Sequence, residues 1–362
     1  MEENHLKINE KKDRMSLEDK NYYKRIKNGN SFKYVTKDNK PITNQETLDE
    51  IKKIYIAPAY KNVKIFLGQD LLAVGIDTKG RKQYVYSNSF KKKRENKKYC
   101  QLMVLSNRID KLKKQINQDI KKDEYDKMKL VATVLKIMDL CNFRSGQRKM
   151  EKAYKSHGIT TVHKKHIKIS NKKVEIEFTG KKGVNNYCEI YDEEVKSLVK
   201  KIYQLSTNND PYLFSIKNED KDHVHVTIDD LNDYLRPFEV TSKDLRTWNA
   251  NIIFLKNMLC EMDDKYDEYK NMKNPTDNKK LKFRKLMVRE AVKKTAEQLH
   301  NTPTVCRSSY IYKNILQGFE QDDNMLERFD EYDKKNGNKK MMYENYLSLL
   351  LSEIRNKNHC KK

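Results

Sequence analysis

The sequence predicts an α+β protein of two domains: a small β-sheet-containing N-terminal domain and a larger, mainly α-helical domain with an embedded three-stranded sheet. Three observations predict it. Short β-prone runs cut by turn residues fill the stretch between Phe32 and Tyr86, apolar residues take up a helical period from Tyr99 onward, and strand-like alternation interrupts the helices between His163 and Tyr191. A chain of 362 residues is long enough for two such domains and at least one sizeable core.

In chain order, residues 1–31 read as a polar, loosely ordered N-terminal extension. Residues 32–90 form the first domain: "NQETLDEIKKIYI" has helical spacing with an acidic first turn, and "YKNVKIFLG", "LLAVGIDTKG" and "RKQYVYS" are short strands. The charge run "KKKRENKK", residues 91–98, reads either as a solvated loop or as a basic linker that clamps phosphates, and the boundary falls there. Residues 99–362 form the second domain. Leu102, Val104, Leu105, Ile109 and Leu112, then Leu130, Val131, Val134, Leu135, Ile137 and Met138, follow a helical period. "HKKHIKIS", "KKVEIEF" and "NNYCEIY" read as three strands, with "TGKKGVN" as the tight connection between the second and third. Helices return after Tyr191, and the tail from Glu320 to Lys362 reads as more of them.

Lys plus Arg number 76 and Asp plus Glu 52, a formal net charge of +24. A surplus of that size is a statement about partners rather than fold, and it suits a polyanion, nucleic acid first. No basic amphipathic helix with an aromatic-rich apolar face is visible, so an anionic membrane surface is not the expected partner. The six cysteines, Cys100, Cys141, Cys188, Cys260, Cys306 and Cys360, contain no CxxC pair; neither a zinc site nor a disulfide framework is signalled, and a reducing compartment fits. "MEENHLKINEKKDR" has no apolar core for a signal peptide, and "YLSLLL" is too short to span a bilayer, so an intracellular, soluble protein is expected. No P-loop is present. No Asp/Glu/His constellation stands at metal-ligand spacing: His163 and His166 read as strand residues, and His223 and His225 alternate along a possible strand. The expected cofactor and metal content is therefore none.

Five positions could carry chemistry: Arg144, Lys181, Arg246, Asn301 and Tyr310. Arg144 lies where the apolar helix end "LCNF" runs into Ser-Gly, and its local reading is a salt bridge to a nearby carboxylate. Lys181 sits in the turn "FTGKKGV"; it is either a plain solvent-facing lysine or an ammonium delivered to a leaving oxygen, and local physics does not separate it from Lys182. Arg246 follows the helix start "TSKDLR"; it either pairs with Asp244 or stacks on Trp248, or it aims a planar fork at phosphate. Tyr310 is one of 22 tyrosines, and a free tyrosine, with a pKa of about 10, is a poor nucleophile unless positive charge surrounds it. Two arginines, a lysine and a hydrogen-bonding side chain around one phosphodiester would supply that charge and stabilise a pentacoordinate transition state.

At these residues the sequence resembles the small type IB DNA topoisomerases of viruses and bacteria. The likeness runs from about Phe32 to Phe319. "IYIAPAY" and "GIDTKGRKQYVYSNSF" resemble the family's DNA-clamping domain, and "FRSG", "SHGITTVHKKHI", "FTGKKGV", "KDLRTWNAN" and "NTPTVCRSSYI" follow in family order and spacing. The resemblance implies that Tyr310 attacks the scissile phosphorus to form a 3′-phosphotyrosyl link, that Arg144 and Arg246 hold the non-bridging oxygens, and that Lys181 is the general acid for the 5′-oxygen. The fifth family position lies nine residues before the tyrosine, which selects Asn301 over its neighbour His300 as a hydrogen-bond donor to phosphate.

The resemblance also implies DNA contacts from Arg81, Lys82, Gln83, Tyr84 and Tyr86, on a strand that enters the major groove, and from Lys243. Alternation places Lys82, Tyr84 and Tyr86 on one strand face and Arg81, Gln83 and Val85 on the other, so part of that set is structural. The implied enzyme is a monomer that clamps duplex DNA, hinges near residues 91–98, and relaxes supercoils of both signs without ATP or metal. A viral origin would place it in a virion or viral replication compartment, a bacterial one in the cytoplasm. Two rival readings are a tyrosine recombinase and a non-catalytic basic DNA-binding protein. Recombinases typically carry His-x-x-Arg at the second arginine, where this chain has Lys243, Asp244, Leu245 and Arg246; five filled catalytic positions argue against the non-catalytic reading.

Overall fold

The computed structural model describes residues 21–206, 210–217, 223–272, 276–337 and 340–358. The chain divides into two compact units, Met1–Lys98 and Tyr99–Lys362.

The first unit is a five-stranded antiparallel sheet with one helix against it. Its strands are β1 (Tyr23–Asn28), β2 (Ser31–Thr36), β3 (Lys61–Ile65), β4 (Leu71–Ile76) and β5 (Lys82–Tyr86), in the order β2-β1-β3-β4-β5. Helix α1 (Gln45–Lys53) starts at Asn44, whose side chain accepts from Thr47 N at 2.9 Å, and buries Ile51 in a core with Ile56, Val63, Ile65 and Ala73. Two expectations are corrected. The polar extension was expected to run to residue 31, yet β1 lies inside it. The strand "YKRIKN" carries three basic residues, so its apolar signal is weak; backbone pairing to β2 on one side and β3 on the other secures it. Arg25 there donates to the carbonyls of Ile56, Ala57 and Tyr60 at 2.8 to 2.9 Å. Likewise, the run 91–98 is no loop but lies within helix α2 (Asn88–Ser106), because Lys, Arg and Glu favour helix and no Gly or Pro breaks the run.

The second unit is mainly helical. Helices α3 (Ile109–Asp119), α4 (Lys127–Cys141) and α5 (Arg148–Tyr154) lead to a three-stranded antiparallel sheet of β6 (Ile167–Ile169), β7 (Val174–Thr179) and β8 (Asn185–Ile190). Helix α4 is apolar almost all round and buries Leu130, Val131, Val134, Leu135, Ile137 and Met138. Helix α6 (Glu193–Leu205) and a hairpin of β9 (Ser215–Lys217) with β10 (His223–His225) follow. Then come α7 (Ile228–Leu235), α8 (Ser242–Lys270), α9 (Asp277–Gln298), α10 (Pro303–Ser309), α11 (Lys313–Gln321), α12 (Asp323–Asn336) and α13 (Lys340–Asn358). The tail belongs to the core: Leu326, Phe329, Tyr346 and Leu347 are buried in the same cluster as residues of α4 and α8. Its last residues, 359–362 with Cys360, lie outside the described part. Among the described residues no helix is long and apolar enough to cross a membrane.

Two further expectations are corrected. His163 and His166 do not sit in a strand: Lys164–His166 is a 3-10 turn and the strand begins at Ile167, the first buried position of the run. The cysteines are not all free either. Cys141, the last residue of α4, is bonded to Cys188 in β8, with Cα atoms 5.6 Å apart. Separated by 47 residues, the two share no local spacing motif; only the packing of α4 on the sheet brings them together.

In the chain-entropy picture a cross-link of that span is worth about 4 kcal/mol. Alkylation of the oxidised, native protein should therefore leave Cys141 and Cys188 unmodified, and reductant or Cys141→Ser should lower the melting temperature. Full alkylation of both without reductant would contradict the bond.

Candidate active site

Arg144 is set by a helix stop and a close backbone approach. Helix α4 ends at Asn142, left-handed at φ 55°, whose N–H bonds Met138 O at 3.0 Å. Phe143 then buries its ring edge-on against Phe178 of β7, with centroids 4.9 Å apart. Next, the carbonyl of Arg144 accepts from Ile159 N and that of Ser145 from Thr160 N, both at 2.8 Å. This pairing brings Gly146 and Gly158 together so closely that a Cβ on Gly158 would lie 2.6 Å from Gly146 Cα. Neither position has room for a side chain, which explains the glycine in "FRSG" and in "SHG". From this loop the Arg144 guanidinium donates through Nη2 to Asn301 Oδ1. The partner is an amide, not the carboxylate expected from local sequence.

Arg246 lies one turn into α8. Asp244 is engaged at the helix start, where it accepts from Thr241 N at 2.9 Å and Thr241 Oγ1 at 2.6 Å, so it does not pair with the arginine. Instead Arg246, 4 % exposed, donates to the Leu299 carbonyl and sets its Cζ 5.2 Å from the centre of the Tyr310 ring. Its Nε and Nη1, and Asn301 Nδ2, are buried with no partner among the described residues. Asn301 itself is placed by the wrap at the end of α9, where its N–H reaches Ala296 O at 2.8 Å.

Tyr310 follows α10, a short helix capped by Thr302 with Pro303 in its first turn. Asn251, buried inside α8, donates to the Tyr310 carbonyl at 3.1 Å and accepts from Tyr312 N at 2.9 Å, so one side chain grips the backbone on both sides of Ile311. Sequence reasoning missed Asn251; a buried amide in a helix interior, five residues after Arg246, is the signal that could have found it. Burial pushes the Tyr310 hydroxyl up, but the charges of Arg246 and Arg144 outweigh it and hold the group below the usual tyrosine range. Burial, then the neighbouring Arg144, lowers Arg246 to about 10. His300, on a left-handed turn at φ 50° beside Phe143, is lowered to about 4 by burial and then by Arg246 and Arg144, and so is neutral.

The structure thus brings four of the five residues together. Lys181 stands apart, exposed in the 3-10 turn Lys181–Gly183 between β7 and β8, with no described hydrogen bond or ion pair to the other four. It is Lys182, not Lys181, that takes the left-handed backbone at φ 66°. Lys243 is exposed in the first turn of α8. In the first unit, Arg81 and Gln83 both bind Asp77: Arg81 Nε at 2.8 Å and Gln83 Nε2 at 2.9 Å from its Oδ2, with Val85 packed on the core beside them. On the other face Lys82 is exposed, Tyr84 is 41 % exposed, and the Tyr84, Tyr86 and Phe90 rings run in series with centroids 6.4 and 4.7 Å apart.

Away from these residues, Glu151, His157 and His163 each bring one potential ligand atom within 4.8 Å of the others, a grouping the sequence reading did not find. They recur every sixth residue, a spacing that is neither a helical nor a strand period and so gave no signal in the sequence.

Comparison with known proteins bears on the same residues. A family model described as "Eukaryotic DNA topoisomerase I, catalytic core" matches residues 87–336, and "Bacterial DNA topoisomerase IB, N-terminal domain" matches residues 31–77. The chain is 29 % identical to DNA topoisomerase 1B of Acanthamoeba polyphaga mimivirus, over 81 % of this chain and 86 % of that protein. It is 28 % identical to DNA topoisomerase 1B of Vaccinia virus (strain Copenhagen), over 72 % of this chain and 78 % of that one. A solved structure, the XerH site-specific recombinase bound to palindromic difH substrate, matches 60 % of this chain and 50 % of its own at 16 % identity and a TM-score of 0.34, too low to carry an argument.

Two outcomes follow from the geometry. Arg246→Gln removes a cation from a buried phenol, so the Tyr310 ring carbon should titrate at higher pH in a tyrosine-labelled NMR experiment, with Tyr310→Phe identifying the resonance; an unmoved titration would deny the electrostatic coupling. Gly158→Ala should displace the Arg144 loop, because its Cβ would meet the Gly146 backbone at 2.6 Å, and should weaken any function that needs the loop; unchanged function in that variant would deny the close approach its importance.

Proposed function

The chain belongs to the type IB DNA topoisomerases, and from that premise we propose how its own residues divide the work. The enzyme is an isomerase acting on DNA. It relaxes positive and negative supercoils by cutting one strand of the duplex, letting the broken strand swivel, and resealing it. In the cut, the Tyr310 hydroxyl releases its proton to solvent and its oxygen bonds to phosphorus as the phosphorus–O5′ bond breaks, leaving a 3′-phosphotyrosyl link; the freed 5′-oxygen takes a proton from Lys181, which regains one from solvent. Resealing runs the same exchange backwards, so the phosphodiester energy is conserved and no ATP enters.

The observation that carries this reading is the meeting of Arg144, Arg246 and Asn301 around a buried, pKa-lowered Tyr310. The buried donors Arg246 Nε and Nη1 and Asn301 Nδ2 are the right chemistry for non-bridging phosphate oxygens, and two guanidinium groups offer the positive charge that a metal supplies elsewhere. The case for Lys181 rests on its hairpin: β7 packs Phe178 on Phe143, the residue before Arg144, so the turn springs from the wall of the same site. Asn301 contributes hydrogen bonding without charge.

Duplex DNA is the partner, engaged by a monomer with no membrane involvement. The exposed face of β5, Lys82, Tyr84 and Tyr86, is assigned to DNA, and Lys243 with it; Arg81 and Gln83 are assigned to the Asp77 network that shapes the strand end. The viral relatives support a setting in a virion or viral replication compartment.

The test is relaxation of negatively and positively supercoiled plasmid without ATP, with and without EDTA, beside Tyr310→Phe. Wild type should relax both signs, while the variant should bind plasmid and change no linking number. Covalent trapping of nicked strand by the variant would sink the nucleophile assignment. A wild type that binds but never relaxes would point to recombination or to a purely structural DNA role. Raising salt from about 50 to 200 mM should weaken binding steeply, because each phosphate contact releases counterions.

A further inference from the structure

Glu151 in α5, His157 in the loop after it and His163 ahead of the Lys164–His166 turn each bring one ligand atom to a common point, all within 4.8 Å of one another. Glu151 Oε1 lies 2.7 Å from His163 Nε2 and 3.6 Å from His157 Nδ1. The three side chains are only 13, 17 and 11 % exposed. The second carboxylate oxygen, Oε2, accepts from the Tyr212 hydroxyl at 2.7 Å, which turns Oε1 toward the two rings. His163 is itself oriented by neighbours, for its ring stacks with His166 at 5.3 Å and meets Tyr212 edge-on at 5.1 Å.

We propose that Glu151, His157 and His163 are the protein ligands of a structural site for a zinc-class dication. Two imidazoles and one carboxylate are a donor set of the kind Zn²⁺ takes. Tetrahedral zinc ligands stand roughly 3.4 Å from one another, given bonds of roughly 2.1 Å, so binding opens the 2.7 Å contact between Glu151 and His163 and leaves the 3.6 Å separation of Glu151 and His157 nearly as it is. A carboxylate held by an outer hydrogen bond, as Tyr212 holds Glu151, is the usual support of such a site. The surroundings also choose the class of metal. Lys152, Lys155, Lys164 and Lys165 crowd the same segment, which disfavours Mg²⁺ or Ca²⁺, bound by charge through oxygen; nitrogen coordination is what a zinc-class ion adds. Binding would cost the contact between His157 Nδ1 and the Thr161 carbonyl, now 2.7 Å.

The position gives the site a purpose. Glu151, His157 and His163 bracket the segment whose Ile159 and Thr160 N–H groups hold the carbonyls of Arg144 and Ser145. A metal there would tie the base of the Arg144 loop and touch no reacting atom.

The experiment uses the full chain, stripped with chelator and then offered Zn²⁺ alone, with Co²⁺ as a spectroscopic substitute. Wild type should take up one equivalent, show a tetrahedral Co²⁺ spectrum and melt at higher temperature with the metal. Glu151→Gln, which keeps the shape of the side chain, and His163→Asn should bind more than about tenfold more weakly and lose the thermal shift. Circular dichroism checks that both variants fold, and Glu151→Gln alone decides the matter should His163→Asn not fold. No uptake by wild type overturns the proposal, and so does uptake unchanged by the variants, which would assign the ion to cysteines or other histidines. These readouts do not involve relaxation, so either idea can fail without the other.

Discussion

Two guanidinium groups and a phenol share one buried space, and much of the second unit is arranged to tolerate that. Bringing like charges together away from water costs on the order of several kcal/mol. The protein offsets the cost in three ways visible in the structure. Arg246 gives a hydrogen bond to the Leu299 carbonyl, Arg144 gives one to Asn301, and the face of Tyr310 lies beside Arg246. Arg246 Nε and Nη1 and Asn301 Nδ2 stay unpartnered among the described residues. That concentration of charge lowers the tyrosine hydroxyl and adds to the burial that keeps His300 neutral, and it suits a phosphodiester whose oxygens gain charge during reaction.

Holding such a group in register requires a stiff frame. On one side, Asn142, Phe143 and the Gly146–Gly158 approach fix the Arg144 loop by sterics and backbone hydrogen bonds rather than by side-chain choice. On the other, Asn251 grips the chain before and after Ile311, which ties the tyrosine to the same helix that carries Arg246. The Cys141–Cys188 bond joins the helix that precedes Arg144 to the strand that follows the Lys181 turn, so the two segments share a covalent anchor. Lys181 is treated differently: it sits on an exposed turn, which fits a proton donor that must reach a leaving oxygen and withdraw.

Much of this was legible along the chain. The sheet of the first unit, the helical period of α4 and the β7–β8 hairpin follow from alternation, period and turn chemistry, all of which are local. The order and spacing of "FRSG", "KDLRTWNAN" and "NTPTVCRSSYI" pointed to the four residues that meet. What failed was also local in its cause. β1 was hidden by its three basic residues because sheet pairing, not burial, secures it. Residues 91–98 looked like a linker because charge runs often are, although their helix propensity is high. The partners of Arg144 and Arg246 could not be read, since both lie more than fifty residues away in sequence.

The sequence by itself determined the class of fold, the family and the candidate residues of the site, because net charge, periodicity and motif spacing are properties of the chain alone. Only the tertiary structure decided which atoms meet. It chose Asn301 as the partner of Arg144 and recruited Asn251 to hold Tyr310. It turned Arg81 and Gln83 toward Asp77 and left Lys82 and Tyr84 exposed. It also gathered Glu151, His157 and His163, and Cys141 with Cys188, from positions that match no metal or disulfide motif. The physical reason is the same throughout: hydrogen bonds and charge–charge terms act over a few ångströms of space, and distance along the chain does not record them.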